Sequence, residues 1–284
     1  MRKIALIGHS HAVCILDALA DWREPLALNQ GQLNENYTEA FRGWFTVNTG
    51  GRMFPLNTYP EFAAFAGARI CALNMATFNG RLAEVSRVVD GQVHFEVSEF
   101  LSSFIRQVAD VDVVISVMCG HEHSPFGLVA NMPEYDFTPF DSPPAGQPVD
   151  RLYIDSILHE MSLSVAAPLA CIRGAMPAAK ILHVMPPPPL FDPSQASVLE
   201  VFAESVKECG LVRPGLRRKW HRAYIDRLKS QLAPLRVDIV EPDQALVCDD
   251  GFLKPEFAEG LSHGNRQYGR VMASRIAEAI AGQE

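Results

Sequence analysis

The chain has 284 residues, 48% of them hydrophobic and 20% charged, a balance that fits a globular protein with a sizeable core and excludes a disordered one. Its net charge of −8 offers no broad basic field to gather phosphates, so nucleic acid is not an expected partner. No stretch reaches the roughly 18 apolar residues of a membrane span, and the start MRKIALIGHSHAVCIL meets a polar Ser-His pair too early for a secretory leader, so the expected location is cytoplasmic.

Lys3 to Gly8 is an apolar run ending in glycine, with Ala12, Ile15, Leu16 and Leu19 following at helical spacing. The opening therefore reads as strand, tight turn and helix, with Ser10 at the strand's carboxyl end. A second run, Trp44 to Val47, stops at Asn48-Thr49-Gly50-Gly51, and a third, Val111 to Met118, stops at Cys119-Gly120-His121-Glu122-His123. Lys180 to Met185 is closed by Pro186 to Pro189, which lack N–H donors and end a central ladder, and Val237 to Val240 makes a fifth strand. Helical patterns occupy Phe100 to Val108, Ile154 to Leu169, Val198 to Cys209, Trp220 to Leu232 and Tyr268 to Ile280.

This alternation predicts an α/β chain, a three-layer α/β/α sandwich around a mostly parallel five-stranded sheet, whose ligands bind outside the carboxyl ends of the strands. One domain over 1–284 is expected. Asn131 to Val149, rich in Pro, Asp and Gly and without either period, reads as an inserted loop or lid, an interdomain linker being the alternative. The cluster Arg213, Arg217, Arg218, Lys219 and Arg222 around Trp220 reads as a solvated helix face rather than an anion site. The six cysteines (Cys14, Cys71, Cys119, Cys171, Cys209, Cys248) show no CxxC spacing and read as buried thiols of a reducing compartment.

A serine hydroxyl is a weak nucleophile until an imidazole takes its proton and N–H donors meet the developing oxyanion. Ser10, where a strand meets a helix, has the exposure and the helix N-terminus for that work, although a serine in that place is also an ordinary helix cap. His263 sits in the loop Gly260-Leu261-Ser262-His263-Gly264-Asn265, ahead of the last helix. The first and last strand-to-helix junctions of a parallel sheet can converge at one rim, which would bring the two together.

These blocks resemble the SGNH (GDSL-like) hydrolases. Ile7-Gly8-His9-Ser10-His11 is similar to the block that carries the family's serine, with His9 in the usual Asp place. Ser116 to His123 is similar to the block whose Gly and Asn bind the oxyanion, with Gly120 retained and His121 in place of Asn. Leu253-Lys254-Pro255-Glu256-Phe257, followed by Ser262-His263-Gly264-Asn265-Arg266-Gln267-Tyr268-Gly269, is similar to the closing block with its catalytic His. Asn48-Thr49-Gly50-Gly51 matches the remaining glycine block less well.

The resemblance implies an SGNH/flavodoxin-like sheet and a serine hydrolase, an esterase or acyltransferase, acting on a small-molecule or carbohydrate ester without cofactor or metal. Ser10 and His263 would be catalytic, and Gly51, Gly120, His121 and Asn265 would bind oxyanion or substrate. The family's Asp, three residues before the histidine, is Gly260 here. Glu259 is the nearest carboxylate and the candidate third group, with Asp249 and Asp250 further off. Two other readings stay open on sequence: a binding protein that kept the fold after losing the acid, and a metal-dependent hydrolase using His9-x-His11 and His121-x-His123 as zinc ligands. His94, His159, His183 and His221 read as structural.

Overall fold

The computed structural model describes residues 3–9, 11–19, 44–46, 69–74, 81–118, 124–130, 134–138, 146–192, 194 and 203–282. The chain opens with β1 (Lys3–Gly8) and α1 (His11–Leu19), followed by β2 (Trp44–Thr46) and β3 (Arg69–Asn74). A hairpin of β4 (Ala83–Val89) and β5 (Gln92–Val97) leads into α2 (Glu99–Gln107) and β6 (Val113–Val117). Then come α3 (Ser124–Gly127), β7 (Tyr135–Phe137), β8 (Gln147–Val149), α4 (Arg151–Ala175) and β9 (Lys180–Val184). Among the described residues the chain closes with α5 (Ala203–Cys209), α6 (Pro214–Leu232), β10 (Asp238–Val240) and α7 (Arg266–Ala281).

The main sheet has the order β10-β9-β6-β1-β3-β2. Five of these strands run parallel, and β2 lies antiparallel to β3 at one edge. The mostly parallel sandwich expected from the alternating pattern is present, with one difference. Trp44–Thr46 is its antiparallel member, and β3 was not foreseen, so among the described residues the sheet has six strands instead of five.

Successive side chains of a strand point to opposite faces, and both faces here are apolar, as a covered parallel sheet requires. Ile4, Leu6, Val113, Ile115, Val117, Leu182 and Val184 pack against α1 and α7. Ala5, Ile7, Val114 and Ile181 face the other layer, built from α2, α4 and α6. The tetraproline run ends the β9 ladder as expected, because β9 stops at Val184.

The described part of 131–149 carries two short strands. β7 and β8 pair in parallel, and Phe137 is fully buried with its ring edge-on to Trp220, centroids 5.2 Å apart. The Trp220 indole N–H donates to the Tyr135 hydroxyl at 2.8 Å. Asp136, also buried, accepts from Arg213 Nη2 at 2.6 Å and from Lys219 Nζ at 2.7 Å. Burial alone would raise this carboxyl, but the hydrogen bonds from Lys219 and Arg213 outweigh it and hold it below its ordinary range.

The basic cluster is correspondingly not a solvated face. Arg217 is buried and donates to the carbonyls of Val212 (2.6 Å), Leu190 (3.0 Å) and Phe191 (2.6 Å). Burial lowers its guanidinium to about 10, still charged at neutral pH.

Of the histidines read as structural, His183 is fully buried and His221 partly so. His183 on β9 pairs in register with Ser116 on β6, and its Nδ1 meets the Ser116 hydroxyl at 2.9 Å. Desolvation pushes His183 down to about 3, and it pushes His221 on α6, whose Nε2 lies 3.4 Å from the Pro186 carbonyl, down to about 4.

Below the ordinary imidazole value of 6.5 the unfolded chain therefore binds protons that the folded chain refuses. Stability should be full above that value and should fall on acidification by about 1.4 kcal/mol per pH unit for each such histidine. Urea unfolding at pH 7, 6 and 5 checks this. His183→Gln should flatten the slope, and an unchanged slope would contradict the assignment.

Candidate active site

The end of β1 is shaped by what does not fit. A Cβ on Gly8 would come within 2.8 Å of the Ala12 Cβ and of both the Cβ and the carbonyl oxygen of Val117, so only hydrogen can stand between β6 and the first turn of α1. The His9 N–H donates to the Val117 carbonyl at 3.3 Å, and the Ala12 N–H donates back to the His9 carbonyl at 2.9 Å. These bonds turn the chain from strand into helix at the carboxyl edge of the sheet. Ser10 lies outside the described residues, while its chain neighbours His9 and His11 lie within them. His11 opens α1 and is only 4% exposed.

Helix α7 packs across α1 at unusually close range. A Cβ on Gly269 would stand 1.9 Å from the Cys14 carbonyl oxygen and 2.3 Å from its carbon, so the two helices meet backbone to backbone. That crossing draws the loop ahead of α7 toward the start of α1.

The loop is closed by its own backbone. Ala258 and Gly264 form an antiparallel bridge, and the His263 carbonyl accepts from the N–H groups of Glu259 (2.9 Å) and Gly260 (3.4 Å). The segment after β9 braces it from below. The Leu190 N–H donates to the Leu261 carbonyl and the Leu253 N–H to the Pro189 carbonyl, each at 3.1 Å.

Asn265 is the N-cap of α7. Its Oδ1 accepts from the N–H groups of Gln267 (2.9 Å) and Tyr268 (3.2 Å), and its Nδ2 donates to the carbonyls of Glu256 (2.8 Å) and Ala258 (3.4 Å). The amide named above for the oxyanion is thus engaged with the chain itself at both ends. Gly264 is equally constrained, since a Cβ there would lie 2.3 Å from the Tyr268 ring.

The half-buried imidazole of His263 lies face to face with that of His11. Their ring centroids are 4.3 Å apart and their planes differ by 12°. Residues from the two ends of the chain therefore meet at one rim of the sheet.

Of the other residues named from sequence, Glu259 is exposed, with its backbone tied to His263 as described. Asp249 and Asp250 occupy an exposed turn, where Asp250 accepts from the Phe252 N–H through Oδ1 and from Arg218 through its carbonyl. Gly51, Gly120 and His121 lie outside the described residues. His11 was read from sequence only as a neighbour of Ser10 in the serine block and as half of a metal pair, and nothing in the pattern announced its stack on a ring so distant in the chain.

One serine–histidine pair among the described residues, Ser116 and His183, has hydrogen-bond geometry but is fully buried, beyond the reach of any substrate. Among the described residues, no group of three or more His, Cys, Asp and Glu side chains is gathered to hold a metal. The stack itself is a poor chelate. Imidazole lone pairs lie in the ring plane, so two nearly parallel rings aim them side by side rather than at one ion about 2.0–2.1 Å from each.

No family model and no curated protein matches the chain. Several solved structures are similar to it. A carbohydrate acetylesterase from Sinorhizobium meliloti is 14% identical with a TM-score of 0.44, each chain covered over 100% of its length. An aryl esterase from M. smegmatis is 13% identical with a TM-score of 0.43, again covering 100% of both chains. A GDSL-like lipase from Bacteroides thetaiotaomicron is 10% identical with a TM-score of 0.43, covering 100% of this chain and 89% of that one.

Substitutions at three positions probe this frame. Gly269→Ala should force α7 off α1 and cost about 1–3 kcal/mol, read as a lower urea midpoint. Gly174→Ala, in α4 with nothing within 4 Å of the new carbon, should be neutral or stabilising by up to about 1 kcal/mol. Asn265→Ala should lose about 1 kcal/mol as the cap is removed, with Asn265→Asp recovering most of it.

Proposed function

We propose that the chain is a serine hydrolase acting on an ester, passing the acyl group to water or to an acceptor hydroxyl, with Ser10 as nucleophile and His263 as base. The observation that carries this reading is the contact between the rings of His11 and His263. Ser10 is bonded to His11, so that contact supports a meeting of the Ser10 hydroxyl with the His263 imidazole at the rim of the sheet.

In this mechanism Ser10 Oγ attacks the ester carbonyl while His263 takes its proton. The tetrahedral oxyanion receives hydrogen bonds from the Ser10 N–H, the Gly51 and Gly120 backbone and the His121 ring, which can donate one N–H in its neutral form. The amino end of α1 adds favourable partial charge. His263 then gives the proton to the leaving alcohol, and water or the acceptor hydroxyl repeats the sequence on the acyl-enzyme. Glu259 is assigned as the carboxylate that supports the imidazolium. We assign Asn265 to positioning rather than to the oxyanion, on the strength of its cap bonds. The substrate class that goes with this reading is a small-molecule or carbohydrate ester.

The purified protein should release p-nitrophenol from p-nitrophenyl acetate and take a fluorophosphonate label at Ser10. Ser10→Ala and His263→Ala should each cut kcat by about a thousandfold or more while leaving the fold intact, and Ser10→Ala should abolish labelling. A folded wild-type protein that neither turns over short acyl esters nor takes the label would exclude the reading.

A further inference from the structure

We propose that His11 is a positioning residue for the base: its ring is a fixed platform that sets the plane of the His263 imidazole for proton transfer. The proposal rests on the serine-hydrolase reading above and deepens it.

A histidine side chain turns about χ1 and χ2, and the second of these is a broad, soft torsion that main-chain hydrogen bonds do not fix. Backbone bonds alone therefore do not orient its ring. A general base is useful only when its ring nitrogen points at the proton it must take, and sites of this chemistry recruit a third group to hold the ring. The position three residues before His263, where the resembling family carries Asp, is Gly260 and has no side chain to offer.

The stack restrains the torsion that the backbone leaves loose. With the planes 12° apart and the centroids 4.3 Å apart, rotation of the His263 ring about χ2 would drive its edge into the face of His11. The motion left is a slide within the plane, which keeps both ring nitrogens in that plane.

The platform is itself immobilised. His11 is buried at the first residue of α1, α1 is pressed onto α7 where Gly269 meets Cys14, and α7 begins three residues beyond His263. The base and its support are thus carried on the two arms of one helix crossing, while the carbonyl of His263 is held by Glu259 and Gly260.

A platform acts through its face, which a phenyl ring supplies and a methyl group does not. His11→Ala should lower kcat by about 10- to 100-fold with KM within about twofold, the signature of a misaimed base rather than of lost substrate binding. His11→Phe should recover kcat to within about threefold of wild type. An alanine variant that loses no more than about twofold in kcat, or a phenylalanine variant as impaired as alanine, would overturn the proposal.

A wild-type measurement covers the case in which His11→Ala does not fold. Carbon-edited NMR of the histidine rings should show a nuclear Overhauser contact between the ring protons of His11 and His263, and its absence would equally overturn the proposal. Ser10→Ala separates the two layers of argument. Full activity in that variant removes the hydrolase reading, and the positioning role with it, even if the ring contact is seen. An inactive Ser10→Ala beside an unimpaired His11→Ala removes the positioning role alone.

Discussion

The arrangement of the rim depends on how closely two helices from opposite ends of the chain can approach. α1 and α7 touch through main-chain atoms at Cys14 and Gly269, a distance available only because Gly269 carries no side chain. Protein interiors are packed densely enough that one added carbon is felt, and here it would fall on a carbonyl group rather than on a pliable side chain. The crossing sets where the loop at 258–265 lies, and that loop carries His263 to the ring of His11. Burial of Tyr268, Met272 and Ile276 against Ile15 and Leu16 supplies the attraction, and the glycine supplies the room.

Around that crossing the chain satisfies its exposed backbone with few donors. The prolines after β9 offer no N–H, so the carbonyls they leave behind must find partners elsewhere. Leu253 donates to Pro189, and the buried Arg217 gathers the carbonyls of Leu190, Phe191 and Val212. A guanidinium is suited to this task because it presents five donors in a rigid plane and keeps its charge when buried. The floor beneath the His263 loop is therefore held by a cation that the sequence places in an apparently water-facing cluster.

Much of the fold was legible because apolar runs ending in glycine or proline are sharp signals. β1, β6, β9 and β10 fall where the pattern puts them, α2, α6 and α7 differ mainly in starting a few residues earlier, and α4 extends the predicted helix at both ends, chiefly at its carboxyl end. β3 escaped because Arg69–Asn74 offers only four apolar residues in a row, too few to tell a buried strand from a piece of helix. The β4–β5 hairpin carried a readable signal in Asp90-Gly91, whose positive φ values of 51° and 75° fit a tight hairpin turn, but a bulge between Val85 and Arg87 breaks the alternation that would have marked the strand. β7 is three residues long and gains its place from Trp220, Arg213 and Lys219, partners about 80 positions away. At the rim, His263 was legible through its loop setting and its resemblance. The part of His11 was not, because a ring stack between residues so far apart leaves no trace in spacing.

The α1–α7 crossing also sets an order of assembly. A ribosome releases β1 and α1 well before α7 and its preceding loop. Until α7 has been made, the surface formed by Ala12, Cys14, Ile15 and Leu16 waits for its cover, and closing so long a loop is entropically slow. The nascent chain must keep that apolar patch from sticking to neighbours until α7 can dock. The rim with His263 is completed only by that docking, so a chain interrupted before α7 would have most of its sheet but no assembled pair of rings.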